Sequence, residues 1–570
     1  MLLLAINTGY KFGNNLTSLS RMQPQHILSS RQASWQAATQ QVFDIVIIGG
    51  GATGAGAALD AASRGYRVLL VEADDFGSAT SSKSTKLIHG GVRYLEQAVK
   101  KLSYQQYRMV RKALHERATL LQLAPHITRP LQLITPCRTW LEGVYYYIGL
   151  KLYDVISGRT HLGKSQLLTR RQALEKLPTL RRQQLYTAVL YYDGQLDDLR
   201  YNWALAHTAA AEGTTCFNHT ALTSFEKDAQ GRLCGAWLHD RYLQQSFFVR
   251  GRCFINATGP FADGIRQLAQ PTLAPRIRVS KGVHILLPKH MMPGASALLI
   301  PQTKDGRLVF AIPYQKHVLV GTTDEEAELI AEEFGPTRAD VQYLLEYCNA
   351  YLDINAGEAD VKAGFGGLRP LVKKLGGHTK DLVRDHEIET DPQSGLISIL
   401  GGKWTTYRLM ARDGVDAAGQ QLHDVRPCRT QQLVLLGSRQ YSHHTAIALQ
   451  QHSGWDHEIV KHLVSKYGDQ SMLVAQLAQQ QPSLAQRILP GMPYTWAELQ
   501  YNLQYEMALT VKDVIARRWG TQLADWQQAL QLIAPVGQYM AQQLGWSHAQ
   551  QTEYIDGYQQ QLAQLIAQSK

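Results

Sequence analysis

The sequence predicts an α/β protein with a mixed-sheet second domain and a C-terminal helical domain. Three features carry that prediction. An apolar run ends in spaced glycines near residue 49, strand-length alternation takes over between Arg276 and Thr323, and a strand-poor tail rich in Gln, Leu and Ala begins near Pro427. At 570 residues the chain exceeds what one core supports. The composition, 45% hydrophobic and 18% charged, is that of an ordinary globular protein. No run of about eighteen uncharged apolar residues occurs, so no membrane span is expected. The net charge of +11 suits an anionic substrate, an anionic lipid surface or a solubilising excess equally.

Phe43 to Ile48 is a short run of mostly β-branched apolar residues, which reads as a strand buried on both faces of a parallel sheet. Gly49, Gly51 and Gly54 follow in G-x-G-x-x-G spacing. The first permits a tight turn, the second lets backbone approach a pyrophosphate, and the third lets the next helix lie close to the strand. Ala52 to Arg64 supplies that helix, with its N-terminal amides toward the phosphates. The next strand, Tyr66 to Val71, delivers Glu72, an acceptor suited to ribose hydroxyls. Together these predict a Rossmann-like dinucleotide-binding domain. Ala257-Thr258-Gly259, ending the strand Phe254 to Asn256, reads as a second contact with the dinucleotide and favours FAD over NAD.

The stretch Ala79 to Glu96 is dense in hydroxyls and amides. Ser81, Ser82, Thr85, Lys86, Leu87 and His89 are expected to satisfy the pyrophosphate and the polar rim of the flavin, the alternative being a polar loop before a helix. Leu95 to Leu123 has helical periodicity. The aromatics of Leu141 to Ile156 predict a helix packed into the core. Leu185 to Arg200 marks the expected re-entry into the cofactor domain, and Glu325 to Leu352 reads as helix. Between Arg276 and Thr323, short strands predict a roof over the cofactor, placed at about 276–365. Ile397 to Arg408 repeats the opening logic of strand, glycine pair and helix start. There Thr405, Thr406 and Lys403 would face the flavin's electron-rich edge.

The domains are therefore expected at 42–425, with the roof interleaved, and at 426–570. Met1 to Gln41 has no Asp or Glu and is expected to be a disordered leader, or an extension ahead of a true start at Met22. Six scattered cysteines without a C-x-x-C pair point to free thiols in a reducing compartment. No metal loop is read in the chain.

Three longer stretches are more specific than the glycine loop: Ser84-Thr-Lys-Leu-Ile-His-Gly-Gly-Val-Arg-Tyr-Leu-Glu96, Gly366-Gly-Leu-Arg-Pro-Leu371 and Gly401-Gly-Lys-Trp-Thr-Thr-Tyr-Arg408. In this order, over roughly Phe43 to Met410, the sequence resembles the FAD-dependent, quinone-linked glycerol-3-phosphate dehydrogenases. These lie within the wider glutathione-reductase and D-amino-acid-oxidase type of flavoprotein. The resemblance implies oxidation of sn-glycerol 3-phosphate to dihydroxyacetone phosphate, with electrons passed to a membrane quinone. It also implies a cytoplasmic protein attached peripherally to the inner (plasma) membrane.

By position, the resemblance assigns substrate contacts to Arg93, Tyr94, Arg369, Arg384 and Lys403. It places His284 on the roof, with His284, Arg369 and Lys403 as the catalytic set. The residue types suit the chemistry, since arginine forks bind phosphate oxygens in pairs and a neutral histidine accepts a hydroxyl proton. His89 is a second candidate for that proton. Homodimerisation is left open and no nucleic-acid partner is expected. Two other readings stand beside this one: an oxidase of the same fold using O₂, and an FAD-binding module without turnover.

Overall fold

The structure is a computed structural model that describes residues 25–91, 103–301, 303–304, 306–330, 332–373 and 386–570, apart from the side chains of 25–29, 159 and 184. Two large sheets organise it. The first has eight strands, and at its centre lies Val42–Ile48, flanked in parallel by Gln245–Asn256 and Val68–Val71. Ile397–Gly401 and Thr215–Phe217 extend the parallel core on either side. Phe43 to Ile48 is buried throughout, as strands covered by helices on one face and a second layer on the other must be. Helices Ala52–Ser63, Asp198–Ala211 and Tyr407–Gln421 pack together over this sheet.

The second sheet has ten strands and forms the roof. Its spine is the antiparallel pair Ile277–Pro288 and Ala363–Val372, in continuous register from Ile277 opposite Val372 to Leu286 opposite Ala363. The roof is wider than 276–365. Four of its ten strands are Leu87–Ile88, Thr128–Cys137, Gln166–Thr169 and Thr187–Leu196. Re-entry into the cofactor layer therefore begins at Asp198, one element later than the pattern at Leu185 to Arg200 suggests, because Thr187–Leu196 pairs with Thr128–Cys137 instead.

Three further expectations need correction. Gln25–Gln40 is a helix, so the disordered leader does not extend to residue 41; residues 1–24 lie outside the described set. Trp35 is fully buried between Phe217 and Phe247, with ring centroids 3.8 and 4.4 Å away, and donates to Asp240 at 2.6 Å. Glu325–Ala327 is an edge strand on Val279–Lys281, and helix begins only at Arg338, where Pro336 stops anything earlier and Thr337 and Asp340 form a capping box. The helix predicted over Leu95 to Leu123 is described over Tyr104–Leu123. The helix Trp140–Ser157 forms as expected, yet it buries one face only and leaves Leu141, Tyr145, Ile148, Leu152 and Val155 in solvent.

The C-terminal region is helical from Thr445 to Gln568, and it shares a core with the roof. Leu499, Val514, Trp519 and Leu532 belong to the same apolar cluster as Leu286, Leu319 and Phe365. Charged contacts tie it to the first sheet. Arg518, fully buried, pairs with Asp75 and lies 3.9 Å over the Trp203 ring, while His219 meets Asp513 at 2.9 Å. Asp75, His219 and Asp513 are close enough to hold a metal ion; Arg518 already pairs with the Asp75 carboxylate and His219 with that of Asp513.

Burial alone would push His219 down; Asp513, aided by Asp74 and Asp75, raises it to about 9. Its unfolded value is about 6.5. The stabilisation is therefore complete below about pH 6.5 and lost as pH rises through about 9. The melting temperature should fall between those limits, and His219→Asn should flatten that slope in a thermal scan. All six cysteines are free. No helix among the described residues is long and apolar enough to cross a membrane.

Candidate active site

The cradle follows from close approaches at three glycines, two of them main chain to main chain. Gly49 has φ +103°, and a Cβ there would sit 2.8 Å from the Ala257 carbonyl oxygen. A Cβ on Gly54 would sit 1.7 Å from the Gly49 oxygen, so helix and strand touch main chain to main chain. At Gly51 the nearest atom to such a Cβ is Ser81 Oγ, at 2.9 Å. Ser81 Oγ also accepts from the Ala52 amide at 2.9 Å at the uncapped start of the helix. Glu72 accepts from the Gly50 amide at 2.6 Å and the Asp74 amide at 3.0 Å. Burial nevertheless pushes its carboxyl up to about 7.

The Ala257 amide donates to the Ile48 oxygen at 2.8 Å, which brings Ala257 and Gly259 beside the glycine turn. Gly259 has φ +58° and open space where a side chain would stand. A second helix start completes the cradle. Trp404–Thr406 is a short 3₁₀ turn leading into Tyr407–Gln421, and Trp404 Nε1 donates to the Ser81 oxygen at 2.7 Å. Thr405 Oγ1 lies 3.4 Å from the amide and the carbonyl of His89, and Thr406 Oγ1 donates to the Lys403 oxygen at 3.2 Å. Two helix starts, a ribose-type acceptor and the open space at Gly259 suit an adenine dinucleotide flavin.

The residues between these points act as supports. Lys86 is fully buried, pairs with Asp198, donates to the Ser82 oxygen at 2.7 Å and lies 5.1 Å over the Phe365 ring. Ser82 is buried and bonds back to Ala79, and Leu87 pairs with Gln195 at the sheet edge. Lys83 pairs with Glu333, which also meets Lys512 at 3.0 Å and Arg517 at 3.4 Å. Burial works against that carboxylate, but Arg517, Lys83 and Lys512 hold it well below the usual range. Burial pulls Lys83 down to about 8 against the pull of Glu333. Glu333→Gln leaves buried cations facing each other, so it should cost about 3–5 kcal/mol, read as a lower urea midpoint and faster flavin release.

The roof brings His284 and Arg369 to one face. Residues 280, 282 and 284 of the strand Ile277–Pro288 point the same way. The Arg369 guanidinium lies over Gly282, where a Cβ would be 2.2 Å from Nη2. Arg369 donates to Asp324 at 3.0 Å, Thr322 Oγ1 at 2.9 Å and the Thr323 oxygen at 3.0 Å. His284 is 2% exposed, stacks on Phe365 with centroids 5.0 Å apart, and has Nε2 3.0 Å from Thr85 Oγ1. Its Nδ1 has no partner among the described residues. Burial, then Arg369 and Lys86, push its pKa well below the ordinary value, so the ring is neutral at pH 7.

Roof and cradle meet where Thr80 Oγ1 donates to the Leu368 oxygen at 2.7 Å, one residue from both Ser81 and Arg369. Arg93, Tyr94 and Arg384 lie outside the described residues. Thr322 and Asp324 were missed in the sequence. Their only signal is the Gly-Thr-Thr-Asp quartet ending a strand, and nothing in it names Arg369 as its partner.

A dinucleotide cradle beneath a roof that presents arginine and neutral imidazole defines a flavin-dependent oxidoreductase. Residues 44–408 match the FAD dependent oxidoreductase family, and residues 428–551 match the C-terminal domain of alpha-glycerophosphate oxidase. The chain is 40% identical to the probable mitochondrial glycerol-3-phosphate dehydrogenase of Caenorhabditis elegans, over 95% of this chain and 76% of that one. It is 41% identical to the mitochondrial glycerol-3-phosphate dehydrogenase of Homo sapiens, over 90% and 72%. The glycerol-3-phosphate dehydrogenase of Bacillus halodurans, solved with FAD, superimposes with a TM-score of 0.79 at 29% identity, covering 95% of this chain and 98% of that one. The chain belongs to the FAD-dependent glycerol-3-phosphate dehydrogenase family, and FAD is its cofactor.

Proposed function

We propose that this protein oxidises sn-glycerol 3-phosphate to dihydroxyacetone phosphate and passes the electrons to a membrane quinone at the cytoplasmic face of the inner (plasma) membrane. The observation that carries the reading is Arg369 and His284 on one face of the roof, meeting the cradle at Thr80 and Leu368. FAD, when bound, supplies the acceptor for the C2 hydride and the outlet for two electrons.

The chain's own residues do the rest. Arg369 is 30% exposed at its side chain, with its plane fixed by Asp324 and Thr322, so it can offer a fork to a phosphate dianion. The neutral His284 ring accepts the hydroxyl proton, and Thr85 sets its orientation. Lys403, ahead of the Trp404–Thr406 turn, adds positive charge beside the developing alkoxide. By resemblance, Arg93, Tyr94 and Arg384 complete the substrate contacts.

Anaerobic addition of sn-glycerol 3-phosphate should bleach the bound flavin, and no bleaching would sink the reading. Reoxidation by a quinone analogue without peroxide separates a dehydrogenase from an oxidase. His284→Asn should slow the bleaching step by about 10²–10³-fold. Because burial, Arg369 and Lys86 hold His284 well below the ordinary value of about 6.5, kcat/KM should stay level down through about pH 6.5 and fall only on further acidification.

A further inference from the structure

The helix Tyr104–Leu123 carries Glu116 and Arg117 side by side, each 1% exposed. Neighbouring residues on a helix point about 100° apart, and these two reach different partners. Glu116 takes Arg408, whose Nε donates to it at 2.8 Å, on the helix Tyr407–Gln421 that the Trp404–Thr406 turn opens. Arg117 donates to Asp193 at 2.6 Å, on the roof strand Thr187–Leu196. A buried ion pair gives little net stability over an apolar filling of the same volume. Two of them from one turn of helix point to geometry, since they tie roof and cofactor layer to a single rod.

On the roof side the chain of contacts continues past Asp193. Tyr153, buried on the helix Trp140–Ser157, donates to the same carboxylate oxygen at 2.9 Å and accepts from the Gly90 amide at 2.7 Å. Protonation states set these directions. Burial pushes the Tyr153 phenol well above its ordinary value, so it keeps its proton. Burial also raises Asp193, against the pull of Arg117, but only to about 6, so it is an anion at neutral pH. The phenol proton therefore goes to the carboxylate, and a phenol lone pair is left for the amide. Gly90 has no slack in this contact. A Cβ there would lie 2.7 Å from Leu114 Cγ, on the same helix as Glu116, and 2.9 Å from the phenol oxygen.

Both arms close on one contact. Gly90 follows His89, whose amide and carbonyl lie 3.4 Å from Thr405 Oγ1, and Thr405 stands three residues before Arg408. We propose that Tyr153, with Asp193 and Arg117 behind it, is a positioning residue that holds the His89–Gly90 turn against the helix start at Thr405, while Glu116 holds that helix start from the other side. This rests on the proposed reading of the site, which puts the substrate's hydroxyl beside Lys403, two residues before Thr405. A slackened turn changes the fit around the reacting carbon and leaves the Arg369 grip on the roof intact. Displacements well under 1 Å are enough to slow a transfer step severely. The loss therefore falls on the rate of flavin reduction and not on substrate affinity.

Tyr153→Phe removes one oxygen from the full-length holoprotein, and Tyr191→Phe, at a buried ring 6.5 Å from Tyr153 between centroids, is the control. In Tyr153→Phe, deuterium exchange at a peptide covering Gly90, read by mass spectrometry, should quicken by about tenfold or more. Anaerobic reduction of the bound flavin by saturating sn-glycerol 3-phosphate should slow by about 10–100-fold, with the half-saturating concentration within about twofold of native and FAD content unchanged. Asp193→Asn keeps the shape of the acceptor and removes its charge, so it should fall between the two in both readouts. It carries the test if Tyr153→Phe does not retain FAD. Unchanged exchange or an unchanged reduction rate overturns the inference. An equal loss in Tyr191→Phe does so too, because the effect is then one of core packing. A native protein whose flavin never bleaches with sn-glycerol 3-phosphate refutes the proposed activity instead. Exchange at Gly90 and the visible circular dichroism of the bound flavin then decide the positioning role: altered in Tyr153→Phe alone they support it, and unaltered they overturn it.

Discussion

Arg369→Ala is expected to lower kcat/KM for sn-glycerol 3-phosphate by about 10²–10³-fold, most of it in KM, with FAD content unchanged. The magnitude is that of a charge-assisted fork to a phosphate dianion, roughly 3–4 kcal/mol. Arg369→Lys should recover little, since an ammonium cannot reproduce two parallel bonds. The guanidinium lies over Gly282 and is gripped by Asp324 and Thr322. Gly282→Ala, which adds a methyl 2.2 Å from Nη2, should therefore reproduce part of the loss without removing any charge. Steady-state kinetics on the three variants, with flavin absorbance as the folding control, checks both statements. An unchanged KM in Arg369→Ala would remove this residue from substrate binding.

Gly54→Val is expected to yield colourless protein. The added side chain would begin 1.7 Å from the Gly49 carbonyl oxygen, and both partners are main chain in a sheet and a helix with nowhere to move. Separating them opens the glycine turn and withdraws the helix amides from the pyrophosphate. Overpacking of this kind costs about 1–3 kcal/mol of stability. The larger effect should be on cofactor retention, measured as flavin per polypeptide after gel filtration. Gly51→Val is the informative companion. Its side chain meets only Ser81 Oγ, so it should fold and melt like the native apoprotein while still excluding the pyrophosphate.

The glycine cradle was legible because its chemistry is local. Gly49, Gly51, Gly54 and Glu72 lie within one strand-turn-helix-strand unit, and the conformations they require are written in residue type. Ala257 to Gly259 was legible for the same reason. Gln25–Gln40 was not, because what orders it is Trp35 sliding between Phe217 and Phe247, and two aromatics some two hundred residues away leave no trace in a polar, acid-free segment. Width of the roof was hidden likewise: Thr128–Cys137 and Thr187–Leu196 carry ordinary strand patterns that do not announce which sheet they join. The aromatics of Trp140–Ser157 were read as core, although periodicity alone cannot say whether an apolar face meets protein or something else.

By itself, then, the sequence determined the class of fold, the dinucleotide turn and the helix starts that follow the glycines at Gly51 and Gly402, since these depend on backbone freedom and periodicity over a few neighbouring residues. Only the tertiary structure decided that Arg369 lies over Gly282 beside His284, that Lys86 is spent on Asp198, and that the stripe from Leu141 to Val155 stays outside. Those outcomes depend on sheet register and on which surfaces remain after packing. Both are properties of the whole chain's burial, and no stretch of it carries them alone.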